Sequence, residues 1–80
     1  MSSGERWRVA LHNDDHNTFA VVHYLLRKIC GLDWEAARDL TMKVHLTDGA
    51  YVGAYDRETA EALTVELLRN GLSASVRRAA

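Results

Sequence analysis

The sequence predicts a small α+β domain with the order β-α-α-β-α-β, in which helices pack on one face of a three-stranded antiparallel sheet. Three segments alternate apolar and polar residues with the period of a strand, and three others repeat apolar residues at helical spacing. Capping residues and turn signals separate these segments from one another. Runs of helices between few strands are typical of an α+β arrangement.

Length and composition limit the chain to one domain. Eighty residues suffice for a single core, with residues 1–6 expected to form a disordered leader and residues 7–80 the domain. The formal net charge of −1 provides no basic field for nucleic acid, and no apolar run approaches the ~20 residues that cross a membrane. The single cysteine, Cys30, forms no internal disulfide, so the cytoplasm is the expected compartment.

The first strand is predicted from the alternation that follows the leader. Trp7, Val9 and Leu11 fall on one face of it. The next seven residues, His12–Thr18, are all polar and rich in turn formers. Because a tight connection needs fewer residues, this loop is the first candidate functional segment.

The next two elements are helices that begin at capping residues. Asn17 or Thr18 caps a helix from about Phe19 to Cys30, and Gly31 ends it. Asp33 caps a second helix, from Trp34 to about Val44. The apolar stripes expected to be buried are Phe19, Val22, Leu25, Leu26 and Ile29 in the first helix, and Trp34, Ala37, Leu40, Thr41 and Val44 in the second.

The rest of the chain predicts a strand, a helix and a last strand. Asp48-Gly49 is a turn signal before a strand from Ala50 to Tyr55. Asp56 caps a third helix, roughly Arg57 to Arg69, which ends at Asn70-Gly71. The residues expected to bury this helix are Ala60, Leu63, Leu67 and Leu68, and those that alternate inward in the last strand are Leu72, Ala74 and Val76.

Two groups of polar residues are candidates for binding. They are the triplet Asn13-Asp14-Asp15 in the first loop, and His45, which follows Val44 at the end of the second helix. Each has an ordinary explanation, since Asn and Asp form turns and a histidine at a helix C-terminus interacts with the helix dipole. Together they offer amide, carboxylate and imidazole acceptors, which suit a primary ammonium group beside an apolar hollow.

These residues also carry a resemblance to a known family. The chain resembles the ClpS family in the stretch Leu11–Phe19, then at Val22, Leu25-Leu26, Gly31, Ala37, Val44-His45 and Gly71-Leu72. The resemblance extends from about Trp7 to Arg78. With Asn17-Thr18-Phe19 after the triplet and a short third helix, the chain is most similar to cyanobacterial and plastid members.

The resemblance implies a bacterial protease adaptor that is not an enzyme and needs no cofactor or metal. ClpS proteins bind the free first residue of N-end rule substrates, when it is Leu, Phe, Tyr or Trp, and deliver them to a Clp AAA+ unfoldase, ClpA or ClpC, partnered with ClpP. By matching position, Asn13, Asp15 and His45 bind the α-amino group, and Asp14 helps to hold the first peptide unit. The protein is expected to be a monomer that binds neither nucleic acid nor membrane.

The resemblance also implies a pocket for the first side chain of the substrate. Phe19 stands where many members have a methionine that excludes β-branched side chains, and Glu58 matches an acidic residue of the surface that docks the unfoldase. The residues implied to form the pocket are Asn17, Thr18, Phe19, Val22, Thr41, Val44 and Leu72.

Three other functions are open at this stage. Asp14, Asp15 and His45 could act as acid and base, although the sequence has no nucleophile elbow or phosphate loop. The four histidines, His12, His16, His23 and His45, could bind a metal, although His16 and His23 are expected to face solvent. An interaction domain like the C-terminal domain of the ribosomal stalk protein, without N-terminal residue recognition, is the third alternative.

Overall fold

A computed structural model describes residues 6–14 and 16–79 of the chain. In chain order it contains the elements β1 (Arg6–His12), α1 (Phe19–Cys30), α2 (Trp34–Thr47), β2 (Gly49–Tyr55), α3 (Arg57–Arg69) and β3 (Ser73–Ala79). This order confirms the predicted β-α-α-β-α-β fold. Arg6, expected in the leader, is the first residue of β1 and pairs with Ala79, whereas residues 1–5 lie outside the described residues.

The sheet has the strand order β2-β1-β3, and both pairings are antiparallel. β1 is therefore the central strand, and its apolar residues face the helices. Val9 and Leu11 are buried in the core, with Trp7 packed against its edge. In the pairing of β1 with β2, the register shifts between Val9 and Ala10. This shift marks a β-bulge, at which β2 has one more residue than β1.

The core lies between the sheet and the three helices. Leu26 of α1, Ala37 of α2 and Leu67 of α3 are fully buried in it. Two apolar residues expected in the helix stripes are instead exposed, Trp34 at 58% and Leu68 at 51%. Thr64 occupies the buried position that was expected for Leu68, because it lies one turn after Ala60 on the buried side of α3. Its hydroxyl donates to the Ala60 carbonyl at 2.8 Å.

Capping residues begin each helix as predicted. The side-chain oxygens of Thr18, Asp33 and Asp56 accept hydrogen bonds from backbone N–H groups at 3.2, 2.7 and 2.8 Å respectively. α2 continues to Thr47, about one turn beyond the predicted end at Val44, and stops where Asp48 adopts φ 67°. His45 therefore lies within the last turn of the helix.

His23 is buried, which corrects the expectation that it faces solvent. Only 8% of it is exposed, and its Nε2 lies 2.9 Å from the Trp34 carbonyl oxygen. Its ring also meets the Trp34 ring edge to face, with centroids 4.9 Å apart. α2 packs along this side of α1 and covers the histidine. His16 is exposed, as expected.

Candidate functional site

Three connections meet at one end of the sheet. β1 ends there at His12, and β2 and β3 begin there, because the strands are antiparallel. The Asn13 N–H donates to the Asp48 carbonyl at 3.4 Å, and the Asn17 side-chain amide donates to the Gly71 carbonyl at 2.8 Å. The polar loop after β1 is thus tied to both of the other connections.

A small cavity opens among these connections. Its polar wall contains Asn13, Asp14 and His45, so the structure brings together three of the four residues predicted to bind an amine. Asp15, the fourth, lies outside the described residues. The other residues that line the cavity are Leu11, His12, Asn17, Val22, Val44 and Leu72.

The apolar part of this cavity comes from four different elements of the chain. Leu11 lies at the end of β1, Val22 on α1 and Val44 on α2, and all three are buried in the core. Leu72, just before β3, is also buried. An apolar surface next to polar acceptors is the arrangement that suits a group with one charged and one apolar end.

Asp14 forms the structural centre of the loop. Its Oδ1 accepts hydrogen bonds from the His16 and Asn17 N–H groups, both at 2.9 Å. The Asn17 side-chain nitrogen lies 3.2 Å and 3.1 Å from the two carboxylate oxygens. Burial raises the pKa of Asp14, but the hydrogen bonds from Asn17 and His16 and the charge of His16 outweigh it, so this pKa lies below its ordinary value.

Asn13 and His45 reach the cavity from different parts of the chain, the loop after β1 and the last turn of α2. Asn13 is half-buried and is positioned by its backbone hydrogen bond to the turn after α2. His45 is exposed, and its ring meets the Phe19 ring edge to face at a centroid distance of 5.9 Å. An amide oxygen and a neutral imidazole nitrogen are both hydrogen-bond acceptors, so this pair can bind a donor such as an ammonium group.

Three residues implied to form the side-chain pocket are not on its surface. Thr18 caps α1, and Thr41 is fully buried, with its hydroxyl donating to the Ala37 carbonyl at 2.7 Å. Phe19 lies beside the cavity, with its ring stacked 6.3 Å from that of His23 and also in contact with His45. Asn17, Val22, Val44 and Leu72 do line it.

The cavity has a volume of only about 10 Å³, which is room for about one water molecule. A leucine or aromatic side chain enters it only if its walls move. Phe19 is an adjacent large side chain that is only half-buried, and it is the first residue of α1.

Leu11 and His12 line the cavity but were not among the predicted site residues. The Nε2 of His12 lies 2.8 Å from the Ser75 hydroxyl of β3. The alternation in β1 already places Leu11 on the helix side at the end of the strand, which is the signal that identifies it. Nothing in the sequence places Ser75 beside His12, because this contact depends on the pairing of β1 with β3.

Glu58 lies away from this cavity. It is exposed in the first turn of α3 and borders a groove of about 510 Å³ between α1 and α3. Lys28 and Ile29 near the end of α1 form the other side of this groove. The groove and the cavity are thus at opposite ends of α1.

The described ranges, residues 6–14 and 16–79, contain neither a cluster of metal ligands nor a membrane-spanning helix. No three His, Cys, Asp or Glu side chains lie close enough together there to hold a metal ion. None of the helices in these ranges is both long and apolar enough to span a bilayer.

The comparisons with known proteins agree on one family. The model of the family described as "ATP-dependent Clp protease adaptor protein ClpS" matches residues 2–75. A Clp protease adapter protein ClpS from Vibrio atlanticus is 38% identical over 55 residues, which are 69% of this chain and 52% of that protein. The namesake from Synechococcus elongatus is 38% identical over 72 residues, which are 89% of this chain and 76% of that protein.

The matched region thus spans about half of one relative and three quarters of the other. A solved structure also has the same fold. Agrobacterium tumefaciens ClpS2, bound to L-phenylalaninamide, matches with a TM-score of 0.88 over 92% of this chain and 96% of that chain. The two sequences are 22% identical.

Proposed function

Because the chain belongs to the ClpS family of Clp protease adaptors, we propose that it binds the free first residue of other proteins and delivers those proteins to a Clp protease. Its role is that of an adaptor and not of an enzyme. The observation that carries the proposal is the convergence of Asn13 and His45 on an apolar cavity.

The polar wall of the cavity accounts for recognition of the amine. An α-ammonium group has three N–H donors and needs acceptors that are held in place. Asn13 is fixed by its backbone and His45 by the last turn of α2, and they supply two such acceptors. Asp15 adds the negative charge that pairs with the ammonium.

Asp14 has a different part in this proposal. Its carboxylate already accepts four hydrogen-bond contacts from the loop, so its part in holding the first peptide unit is to fix the loop that carries Asn13. The geometry of the amine site therefore depends on Asp14 although the ammonium need not touch it.

The apolar wall sets the preference for the first side chain. Val22, Val44 and Leu72 are buried aliphatic residues, which favour Leu, Phe, Tyr or Trp over polar side chains. The similar fold of a ClpS2 bound to L-phenylalaninamide supports this preference, since that compound has a free amine and a phenyl ring. Entry requires the cavity to enlarge, and we assign that movement to Phe19.

The partner in delivery is a Clp AAA+ unfoldase, ClpA or ClpC, which acts with the ClpP peptidase. Glu58 and the groove between α1 and α3 are the candidate docking surface, because they leave the cavity free at the other end of α1. The protein acts as a monomer in the bacterial cytoplasm.

The experiment that tests this function is a panel of labelled peptides that differ only in the first residue. Fluorescence anisotropy is expected to give measurable affinity for peptides beginning with Leu, Phe, Tyr or Trp, and weak affinity for Gly, Ser or Glu. The peptides should remain intact after incubation, as an adaptor does not cleave them. Equal affinity for every first residue would contradict the proposal and favour an interaction domain without N-terminal recognition.

A further inference from the structure

The face of the sheet opposite the helices has an unusual charge. In β1, the residues between those that face the core point to this open face, and they include Arg6, Arg8 and His12. Arg77 of β3 lies on the same face, since its neighbour Val76 packs on the core. Arg78 is on the other side, with its guanidinium carbon 5.4 Å from the centroid of the Trp7 ring.

The charged residues of this face that the structure describes are all basic. The three strands contain four arginines and no Asp or Glu, although the chain has a formal net charge of −1. The described acidic residues lie in the helices and connections instead. The acidic residues that flank β2 in the sequence are Asp48 before the strand and Asp56 after it. The Asp56 carboxylate interacts electrostatically with Arg6.

A hollow of about 230 Å³ lies on the open face. Arg77, His12 and Tyr51 line it and can donate hydrogen bonds from a guanidinium, an imidazole and a phenol. Ala10 and Gly49 leave room because their side chains are small or absent. A hollow with these donors suits an anionic group, and a guanidinium binds a carboxylate in a bidentate manner.

Arg8 and Arg77 lie opposite each other, where their like charges lower the stability of the sheet. They are direct partners in the pairing of β1 with β3, and like charges directly opposite each other destabilise a sheet. Arg8 lies over the Tyr51 ring, with its guanidinium carbon 4.9 Å from the ring centroid, which directs it toward β2. Proteins often keep residues that lower the stability of the fold where those residues serve a function such as binding.

We propose that this open face binds an acidic segment of a partner protein, with one carboxylate in the hollow beside Arg77 and another beside Arg8. Charge complementarity identifies the partner chemistry. A nucleic acid fits less well, because three arginines on a chain of net negative charge give only a small basic field. A membrane fits less well, because the described residues that line the hollow contribute one large ring, that of Tyr51, and it carries a polar hydroxyl.

This site is separate from the proposed amine site. The residues lining the two cavities have only His12 in common, so variants at Arg8 and Arg77 leave the polar wall with Asn13 and His45 intact. The proposal therefore stands or falls independently of the proposed function.

The test uses an N-acetylated hexaglutamate peptide, labelled at its C-terminus so that no free amine is present. Fluorescence anisotropy is expected to show binding that weakens about two- to fivefold in Arg8→Gln or Arg77→Gln, and about tenfold in the double variant. Arg27→Gln, which changes an exposed arginine of α1, is the matched control and is expected to bind as the parent does.

Several results would overturn the proposal. They are no binding of the peptide at millimolar concentration, an equal loss in Arg27→Gln, or tighter binding of an oligodeoxythymidylate of the same charge.

A second measurement separates binding from a structural role. Arg77→Thr is expected to raise the melting temperature by about 1–6 °C while it weakens binding, because it removes the repulsion with Arg8. A lower melting temperature would show that Arg77 stabilises the sheet, contrary to the proposal.

Discussion

Two pairs of polar residues at the cavity, Asp14 with Asn17 and Asn13 with His45, make different contacts in the structure. Asp14 and Asn17 bind each other and the backbone, and Asn17 also binds the Gly71 carbonyl. Asn13, in the loop, and His45, on α2, line the same cavity from two different parts of the chain. The first pair builds the loop, and the second pair provides the acceptors.

This difference accounts for how a run of polar residues can hold one shape and, under the proposed function, also bind a ligand. A loop of seven polar residues needs internal hydrogen bonds to hold one shape, and the Asp14 carboxylate supplies them. Once the loop is fixed, Asn13 is held toward the cavity at little further entropic cost on binding. The two pairs should therefore respond differently to substitution.

The largest expected effect is on affinity when an acceptor is removed. Asn13→Ala and His45→Ala should each weaken binding of a Phe-initiated peptide by about 10- to 150-fold, which is about 1.5–3 kcal/mol for a hydrogen bond to a charged group. Neither residue is part of the buried core, so the melting temperature should change little. His16→Ala, at an exposed histidine of the same loop, is the control and should bind normally.

The next effect is on stability when the loop is weakened. Asp14→Ala removes the acceptor of the His16 and Asn17 groups and should lower the free energy of unfolding by about 1–3 kcal/mol, since water replaces part of the loss at this half-buried site. Urea unfolding measures it. Asp39→Ala, at an exposed carboxylate paired only with Arg38 at 3.6 Å, should change stability by under about 1 kcal/mol.

The same carboxylate gives a pH signature. Because the folded-state pKa of Asp14 is lowered, its contribution is complete above the ordinary pKa of an aspartate and is lost as the pH falls through the lower folded value. The difference in stability between the parent and Asp14→Asn should thus shrink on acidification to about pH 3. A constant difference from neutral to acid pH would show that the charge of Asp14 does not contribute.

A smaller effect is expected at Phe19, beside the cavity. Phe19→Ala should reduce the preference for Leu over Ile or Val as first residue by about fivefold, or about 1 kcal/mol, because the smaller side chain leaves the cavity more open. Competition of matched peptides measures this ratio. An unchanged ratio would mean that Phe19 only packs against His23 and His45.

The elements of the fold could be predicted because their signals are local. Thr18, Asp33 and Asp56 lie where caps are expected, and the apolar stripes around Leu26 and Leu67 have helical spacing. The extra turn of α2 had no such signal, because residues after Val44 are exposed and have no apolar repeat. Its end at Asp48 depends on a left-handed backbone conformation that many residues tolerate poorly.

The parts that could not be predicted depend on packing between elements. The burial of His23 follows from the position of α2, which no local pattern gives. Thr41 lies on the predicted stripe and is fully buried without lining the cavity, and Thr18 caps α1. The sequence therefore indicated which segments meet at the cavity, while the residues on its surface could be identified only from the structure.

The most direct test of the division between the two pairs is the ratio of affinities for a free and an N-acetylated Phe-initiated peptide, measured by titration calorimetry. Acetylation removes the charge, so the parent protein is expected to give a ratio of about 30 or more. The double variant Asn13→Ala/His45→Ala should reduce this ratio at least tenfold, whereas a folded Asp14→Asn should retain most of it. A ratio that survives in the double variant, or one that is lost in folded Asp14→Asn, would contradict the account.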